Sequence, residues 1–178
     1  MAARKVFARE GFDGTTIADI AREAGVAAGT VYLYYASKID LFAALNAQLY
    51  DVINTALREA DAPPDLVGGT RARVRAVFRA CSRDRDLLRL IFLNPDPRTE
   101  VARRMKHADE QRLRPLAELF SGGMTAGLVR KEDPTLLARL VTGAVTIGLY
   151  QCFVQSDGSC QETYETVVSD MIVGGLAP

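Results

Sequence analysis

Residue types that catalysis and metal binding depend on are scarce in this sequence. Its 178 residues include no tryptophan, one histidine and three cysteines, and the formal net charge is zero. A single histidine cannot supply the imidazole pair of a metal site or of acid–base chemistry. Cys81, Cys152 and Cys160 are odd in number and lack metal-ligand spacing, so they indicate neither a disulfide framework nor a zinc site. We therefore predict no metal and no cofactor.

Catalytic motifs are also absent from the sequence. It has no glycine-rich phosphate loop, no Gly-x-Ser-x-Gly and no His-Glu-x-x-His. An enzyme that carries a helical head remains an alternative, but no motif supports it. The prediction is that the protein is not an enzyme.

Long hydrophobic runs are few. The opening residues, MAARKVFAREGF, lack the apolar core of a secretory signal peptide, which favours a cytoplasmic protein. The most apolar segment, residues 140–154, is short for a membrane span and contains Thr142, Thr146 and Gln151. It is predicted to be a buried or interface helix, with no membrane as partner.

The residues that are present predict an all-α chain, because proline and glycine divide it into helix-sized pieces with little strict alternation. Thr16-Ile17-Ala18-Asp19 resembles a capping box, and Gly25 is suited to end the helix that Thr16 begins. The inward face of that helix is predicted to be Ile17, Ile20, Ala21 and Ala24. A short second helix follows, and a long third helix runs from Lys38 to about Ala60.

A short helix, a glycine turn and a second short helix form a helix-turn-helix, whose second helix enters the DNA major groove. Val31 is predicted to face the core, whereas Tyr32 and Leu33 lie toward the groove. The hydroxyls of Thr30 and Tyr34 can reach phosphate oxygens. Three further residues are assigned to the same surface: small Ala28 and Gly29, which allow close approach to the bases, and cationic Lys38.

The segment TTIADIAREAGVAAGTVYLYYASKIDLF, residues 15–42, resembles the DNA-binding signature of the TetR family of bacterial repressors. The resemblance implies an all-α homodimer with an N-terminal three-helix head, residues 1–46, and a C-terminal effector-binding and dimerisation domain, residues 47–178. It implies a repressor that binds a palindromic operator and is released by a small effector. The implied DNA contacts are Thr16, Ala28, Gly29, Thr30, Tyr32, Leu33, Tyr34 and Lys38.

Two features depart from the family pattern. Ala27 stands where a serine often caps the recognition helix, and loss of a cap costs about 1 kcal/mol. The chain also begins inside the first helix, whereas relatives carry a basic stretch ahead of it. Some affinity for the DNA backbone is therefore expected to be missing, or the true start lies upstream.

The effector is predicted to be largely apolar, with a pocket among the helices of the C-terminal domain. Its candidate residues are Phe92, Met105, His107, Phe120, Met124 and Tyr150. For His107, a solvated or core position is the alternative. A second hypothesis is that the ridge of Arg71, Arg75 and Arg79 attracts an anionic effector such as an acyl-coenzyme A; the alternative is a solvated face.

The last two helices, about 135–155 and 162–175, are apolar around much of their circumference and are predicted to form the homodimer interface. Gly143, Ala144 and Gly148 permit the close helix approach that a four-helix interface needs. The alternative is that these helices only build the monomer core.

A third hypothesis for the function is a structural or architectural DNA-binding protein that responds to no effector.

Overall fold

The computed structural model describes the backbone of residues 2–92 and 100–178, and the side chains of residues 2–89 and 113–178. Within these ranges the chain is all-α, as predicted, and contains no strand. The helices are α1 (Ala2–Gly14), α2 (Ile17–Ala24), α3 (Ala28–Tyr32), α4 (Lys38–Glu59), α5 (Leu66–Ser82), α6 (Arg85–Phe92), α7 (Glu100–Thr125), α8 (Pro134–Tyr150) and α9 (Gln161–Leu176). A π-helical turn, Gln151–Gln155, continues α8.

The first compact unit falls within residues 1–51 and 84–107. Its core is built on aromatic rings from α1 and α4: Phe7 and Phe42 are fully buried, with ring centres 5.1 Å apart, and Phe12 lies 5.0 Å from Phe42. Edge-to-face pairs at this distance are favourable beyond the area that they bury. Gly11, with φ of 73°, interrupts α1 and so allows Phe12 to join the cluster.

A polar contact in the same unit joins three helical segments through one guanidinium. Arg4 of α1 forms an ion pair with Asp84 and donates a 2.7 Å hydrogen bond to Gln48 Oε1 of α4. Asp84 also accepts from the Leu87 amide at 3.0 Å, so the same carboxylate caps the start of α6. These contacts hold α1 against the first turn of α6.

The second compact unit falls within residues 52–83 and 108–178, and its core lies where α5, α8 and α9 pack together. An apolar stripe on α5 is buried; it consists of Val74, Val77, Phe78 and Cys81. Phe78 packs against Phe153, with ring centres 6.0 Å apart. On the outer side, Arg71 pairs with Asp170 at 2.9 Å and Arg75 with Glu165 at 3.5 Å, so α5 and α9 are also joined by charge.

Gly148 was predicted to allow close helix approach at the subunit interface, but in the structure it allows close packing within one chain. A Cβ at this position would lie 2.8 Å from Val168 Cγ2 and 3.2 Å from Phe78 Cζ, so the glycine lets α8 approach α9 and α5 inside one chain. At Gly143, by contrast, a Cβ would have nothing within 4 Å. Of the two glycines, only Gly143 lies on an open face.

The stretch Pro134–Gln155 is long and apolar enough to cross a membrane by length and composition, with a mean hydropathy of 1.4 over an 18-residue window. Core helices of soluble proteins meet the same criterion. Only 33% of that window is buried within the single chain. Much of this apolar surface is therefore left uncovered by the chain itself.

Candidate nucleic-acid interface

The helix-turn-helix begins with a complete capping box at Thr16. The Thr16 hydroxyl accepts from the Asp19 amide at 3.1 Å, and the Asp19 carboxylate accepts from the Thr16 amide at 3.2 Å. Hydrogen bonds from Thr16 hold the pKa of the Asp19 carboxyl below its ordinary value. Thr16 is exposed, but its hydroxyl also contacts the Asp19 carboxylate, so a phosphate would have to share it.

The predicted inward face of α2 is confirmed in part. Ile17, Ile20 and Ala21 are buried, with exposed fractions of 7%, 3% and 2%. Ala24 is exposed, which corrects its assignment to the core. The reason is that Gly25, at φ 68°, ends the helix one residue later, and the chain turns away before Ala24 meets another element.

Helix α3 is short and starts without a side-chain cap. Ala27 occupies the N-cap position and makes no side-chain hydrogen bond, consistent with its lack of a hydroxyl. Val31 is buried, with 9% of its surface exposed, and holds α3 on the unit's core as predicted. The helix ends at Tyr32, and Leu33 is its C-cap.

The outward surface of α3 and of the two residues that follow it contains most of the residues that the sequence assigned to DNA. Tyr32, Leu33 and Tyr34 are 55%, 82% and 78% exposed, and Gly29 and Thr30 are exposed as well. Ala28 is half-buried. The segment thus presents a contiguous surface of small, apolar and hydroxyl-bearing groups.

Lys38 is placed differently from the free cation that the sequence suggested. Its ammonium donates to the carbonyl oxygens of Phe12 at 2.7 Å and Thr15 at 2.8 Å, and it lies 4.5 Å from the centre of the Phe12 ring. Lys38 is half-buried. In this arrangement the ammonium stabilises the end of α1, and contact with a phosphate would compete with these carbonyls.

Other cations of the head are also paired. Arg9 contacts Glu10 at 2.8 Å and Glu23 at 3.9 Å, and Arg22 pairs with Asp19. Exposed pairs of this kind are weak because water and salt screen them, so DNA phosphates can displace them. Their carboxylates nevertheless reduce the positive potential of the surface.

Residues 1–45 match the family model described as "Bacterial regulatory proteins, tetR family". The head of the chain therefore matches the DNA-binding region of the TetR family. Residues 1–45 thus form a helix-turn-helix head of the TetR type. A comparison with curated proteins finds no match.

Solved structures with a similar fold cover nearly all of this chain. One is the fatty acid degradation regulator FadR from Bacillus halodurans, with a TM-score of 0.84, 22% identity, and coverage of 98% of this chain and 92% of that one. A second is FadR from Bacillus subtilis in complex with stearoyl-CoA, with a TM-score of 0.82, 20% identity, and coverage of 98% and 96%. A third is a TetR family transcription regulator from Marinobacter aquaeolei VT8, with a TM-score of 0.77, 24% identity, and coverage of 99% and 92%.

The predicted effector residues are only partly within the described side chains. Phe120 is buried and Met124 and Tyr150 are half-buried, whereas the side chains of Phe92, Met105 and His107 lie outside the described residues. None of the three described candidates lines the groove between α7 and the start of α8, whose lining residues are Leu113, Arg114, Ala117, Glu118, Ser121, Pro134 and Thr135. The effector pocket therefore stays a prediction.

Proposed function

We propose that this TetR-family protein is a ligand-responsive repressor that binds a palindromic operator as a homodimer in the cytoplasm. The observation that carries the proposal is the exposed surface formed by Tyr32 at the end of α3 and by Leu33 and Tyr34, which follow it. The helix that precedes α3 in this helix-turn-helix, α2, begins with a complete capping box. Exposure of several large side chains next to one another is unfavourable in free energy, and such a surface usually marks an interaction site. In this fold, the partner that matches them in shape is the major groove of DNA.

Two apolar stripes support the homodimer. On α8, Leu136, Leu140, Gly143 and Ile147 recur at helical spacing, and the three large side chains are 49%, 62% and 56% exposed. On α9, Val167 and Met171 are 51% and 64% exposed. Since α8 and α9 pack against each other, the stripes can bury one another in a two-fold related copy. This is the interface predicted for residues 135–155 and 162–175.

The effector class proposed for the first test is a long-chain acyl-coenzyme A. The Bacillus subtilis FadR structure contains stearoyl-CoA, and α5 of this chain is rich in arginine. Arg71 and Arg75 are already paired with Asp170 and Glu165, whereas Arg79 is exposed. Arg79 is therefore the member of the ridge best suited to meet an anionic group. An uncharged apolar effector is the alternative.

Release of DNA is proposed to follow from the length of α4, which spans Lys38–Glu59 and so contributes to both compact units. An effector that binds beside its C-terminal part can shift the population of head positions. The shift is limited by the difference in effector affinity between the DNA-bound and released states.

The test starts with selection of duplexes from a random library by the purified protein, followed by a gel-shift assay. Enrichment of an inverted repeat with half-sites about one helical turn apart is expected. Stearoyl-CoA is then titrated into the complex, with free coenzyme A and stearate as controls. Failure to enrich any duplex would refute the DNA-binding proposal, and an unchanged complex in all three titrations would remove the acyl-CoA hypothesis.

A further inference from the structure

Helix α3 and the residues that flank it lack every side chain that reads bases by paired hydrogen bonds. From Gly25 to Ala36 the sequence contains no charged and no amide side chain. Guanine is usually read by arginine or lysine, adenine by asparagine or glutamine, and cytosine by a carboxylate. Helix α3 and its flanks can therefore offer the bases only hydroxyl and apolar groups.

The apolar group in the most accessible position is Leu33. With 82% of its surface exposed, it is the most exposed large hydrophobic residue among the described side chains. Leu33 follows directly on α3, and the large aliphatic residue within that helix, Val31, is buried. Leu33 is thus directed away from the core that Val31 joins. Gly29, one turn earlier, has nothing within 4 Å of the position that a Cβ would take, so the helix surface is open at that position.

The nearest charged groups are engaged within the chain. Arg22, in the last turn of α2, pairs with Asp19, and the Lys38 ammonium donates to carbonyls of Phe12 and Thr15. Tyr32 and Tyr34 add hydroxyls beside Leu33, and a hydroxyl distinguishes bases poorly because it both donates and accepts. The apolar contact is therefore the distinctive one on this surface.

We propose that Leu33 contacts the C5-methyl groups of thymine in the major groove, and that the operator half-site is specified by thymine rather than guanine where α3 docks. The methyl is the apolar feature that the major-groove edge of a base presents. The inference rests on the proposed DNA-binding function and adds which chemical group of the operator bases the protein recognises.

The test uses the duplex that the wild-type protein enriches from a random library. The same duplex is made with deoxyuridine in place of thymine, which removes only the C5-methyl groups. Wild-type affinity is expected to fall about fourfold for each methyl contacted. Leu33→Ala is expected to bind the thymine duplex more weakly and to bind both duplexes equally. Tyr34→Phe serves as the matched control, because it should weaken both complexes and keep the methyl dependence.

Equal wild-type affinity for the thymine and deoxyuridine duplexes would overturn the inference. So would a half-site in which methylation of guanine N7 abolishes binding, with that requirement lost in Arg22→Gln, since the reader would then be a guanidinium. If no duplex is enriched at all, the proposed function itself fails and this inference fails with it. Leu33 is exposed, so the melting temperature of Leu33→Ala should equal that of wild type and confirm folding.

Discussion

The ammonium of Lys38 lies 2.7 Å from the carbonyl oxygen of Phe12 and 4.5 Å from the centre of its ring. Lys38 is the first residue of α4, and Phe12 lies in the last turn of α1. A cation beside the free carbonyls of a helix end offsets the negative end of the helix dipole. One side chain thus ties the start of α4 to the end of α1 and supports the head on which the recognition helix sits.

Lys38→Met is expected to destabilise the head by about 1–3 kcal/mol. The substitution removes the charged donor, so the carbonyl oxygens that accept from Lys38 in the wild type lose this hydrogen bond. The measurement is hydrogen exchange of α1 amides together with thermal unfolding. Lys5→Met is the matched control, since Lys5 is exposed. Unchanged exchange in α1 would show that the Lys38 contacts contribute nothing to stability and would favour a role limited to phosphate binding.

Tyr34→Phe is expected to weaken DNA binding by about 2- to 10-fold on specific and random duplexes alike, the effect of one neutral hydrogen bond to a phosphate. The dependence of affinity on salt concentration should not change, because a hydroxyl displaces no condensed counterion. A gel-shift series across salt concentrations measures both quantities. Tyr35→Phe, at a half-buried position, is the control; a loss confined to the selected duplex would indicate that Tyr34 reads bases instead.

Leu140→Asp is expected to convert a dimer into a monomer by placing a carboxylate in an apolar interface on each side of the two-fold axis. The dimer dissociation constant should rise by roughly a hundredfold or more. Light scattering coupled to gel filtration checks the mass. Val67→Asp introduces the same change at a 42% exposed position on α5 and should leave the dimer intact. A Leu140→Asp protein that remains dimeric would exclude the α8 stripe from the interface.

Asp19→Asn tests the capping box through its pH dependence. The pKa of Asp19 is lowered in the folded protein from the ordinary 3.8, chiefly by hydrogen bonds from Thr16, so its charged form stabilises the fold. That contribution is complete above the ordinary pKa and is lost as the pH falls through the folded value. Wild type should therefore exceed Asp19→Asn in stability near neutral pH, and the difference should shrink in acid. A stability difference between wild type and Asp19→Asn that does not change with pH would show that the shape of the cap, rather than the charge of Asp19, causes the difference.

The three cysteines should differ in reactivity. Burial raises the pKa of Cys81 to about 12, and Cys152 is also buried, whereas Cys160 is half-buried at the start of α9. A thiol reagent attacks the thiolate, so at about pH 8 we expect labelling of the native protein at Cys160 first. Peptide mass analysis over time provides the measurement, with Cys160→Ser as control. Rapid labelling of Cys81 would show that α5 opens locally.

Much of the helix-turn-helix could be predicted from neighbouring residues. Thr16 and Asp19 are three positions apart, so their reciprocal capping depends only on the local backbone, and the structure confirms it. The same holds for Gly25, whose left-handed conformation ends α2. The burial of Val31 and of Ile20 also followed from helical spacing, because one face of an amphipathic helix must meet the core.

Contacts between distant segments could not be predicted in the same way. Lys38 and Phe12 are 26 positions apart, and nothing in either local sequence directs an ammonium to those carbonyls. Likewise Gly143 and Gly148 look alike in the sequence, yet only Gly148 is enclosed by Val168 and Phe78. Local sequence was enough to predict where α2 and α4 begin and which face of α2 is apolar, because these depend on nearby hydrogen bonds and periodicity. Which polar groups and which small residues meet was set by tertiary packing, because separate helices must first come together.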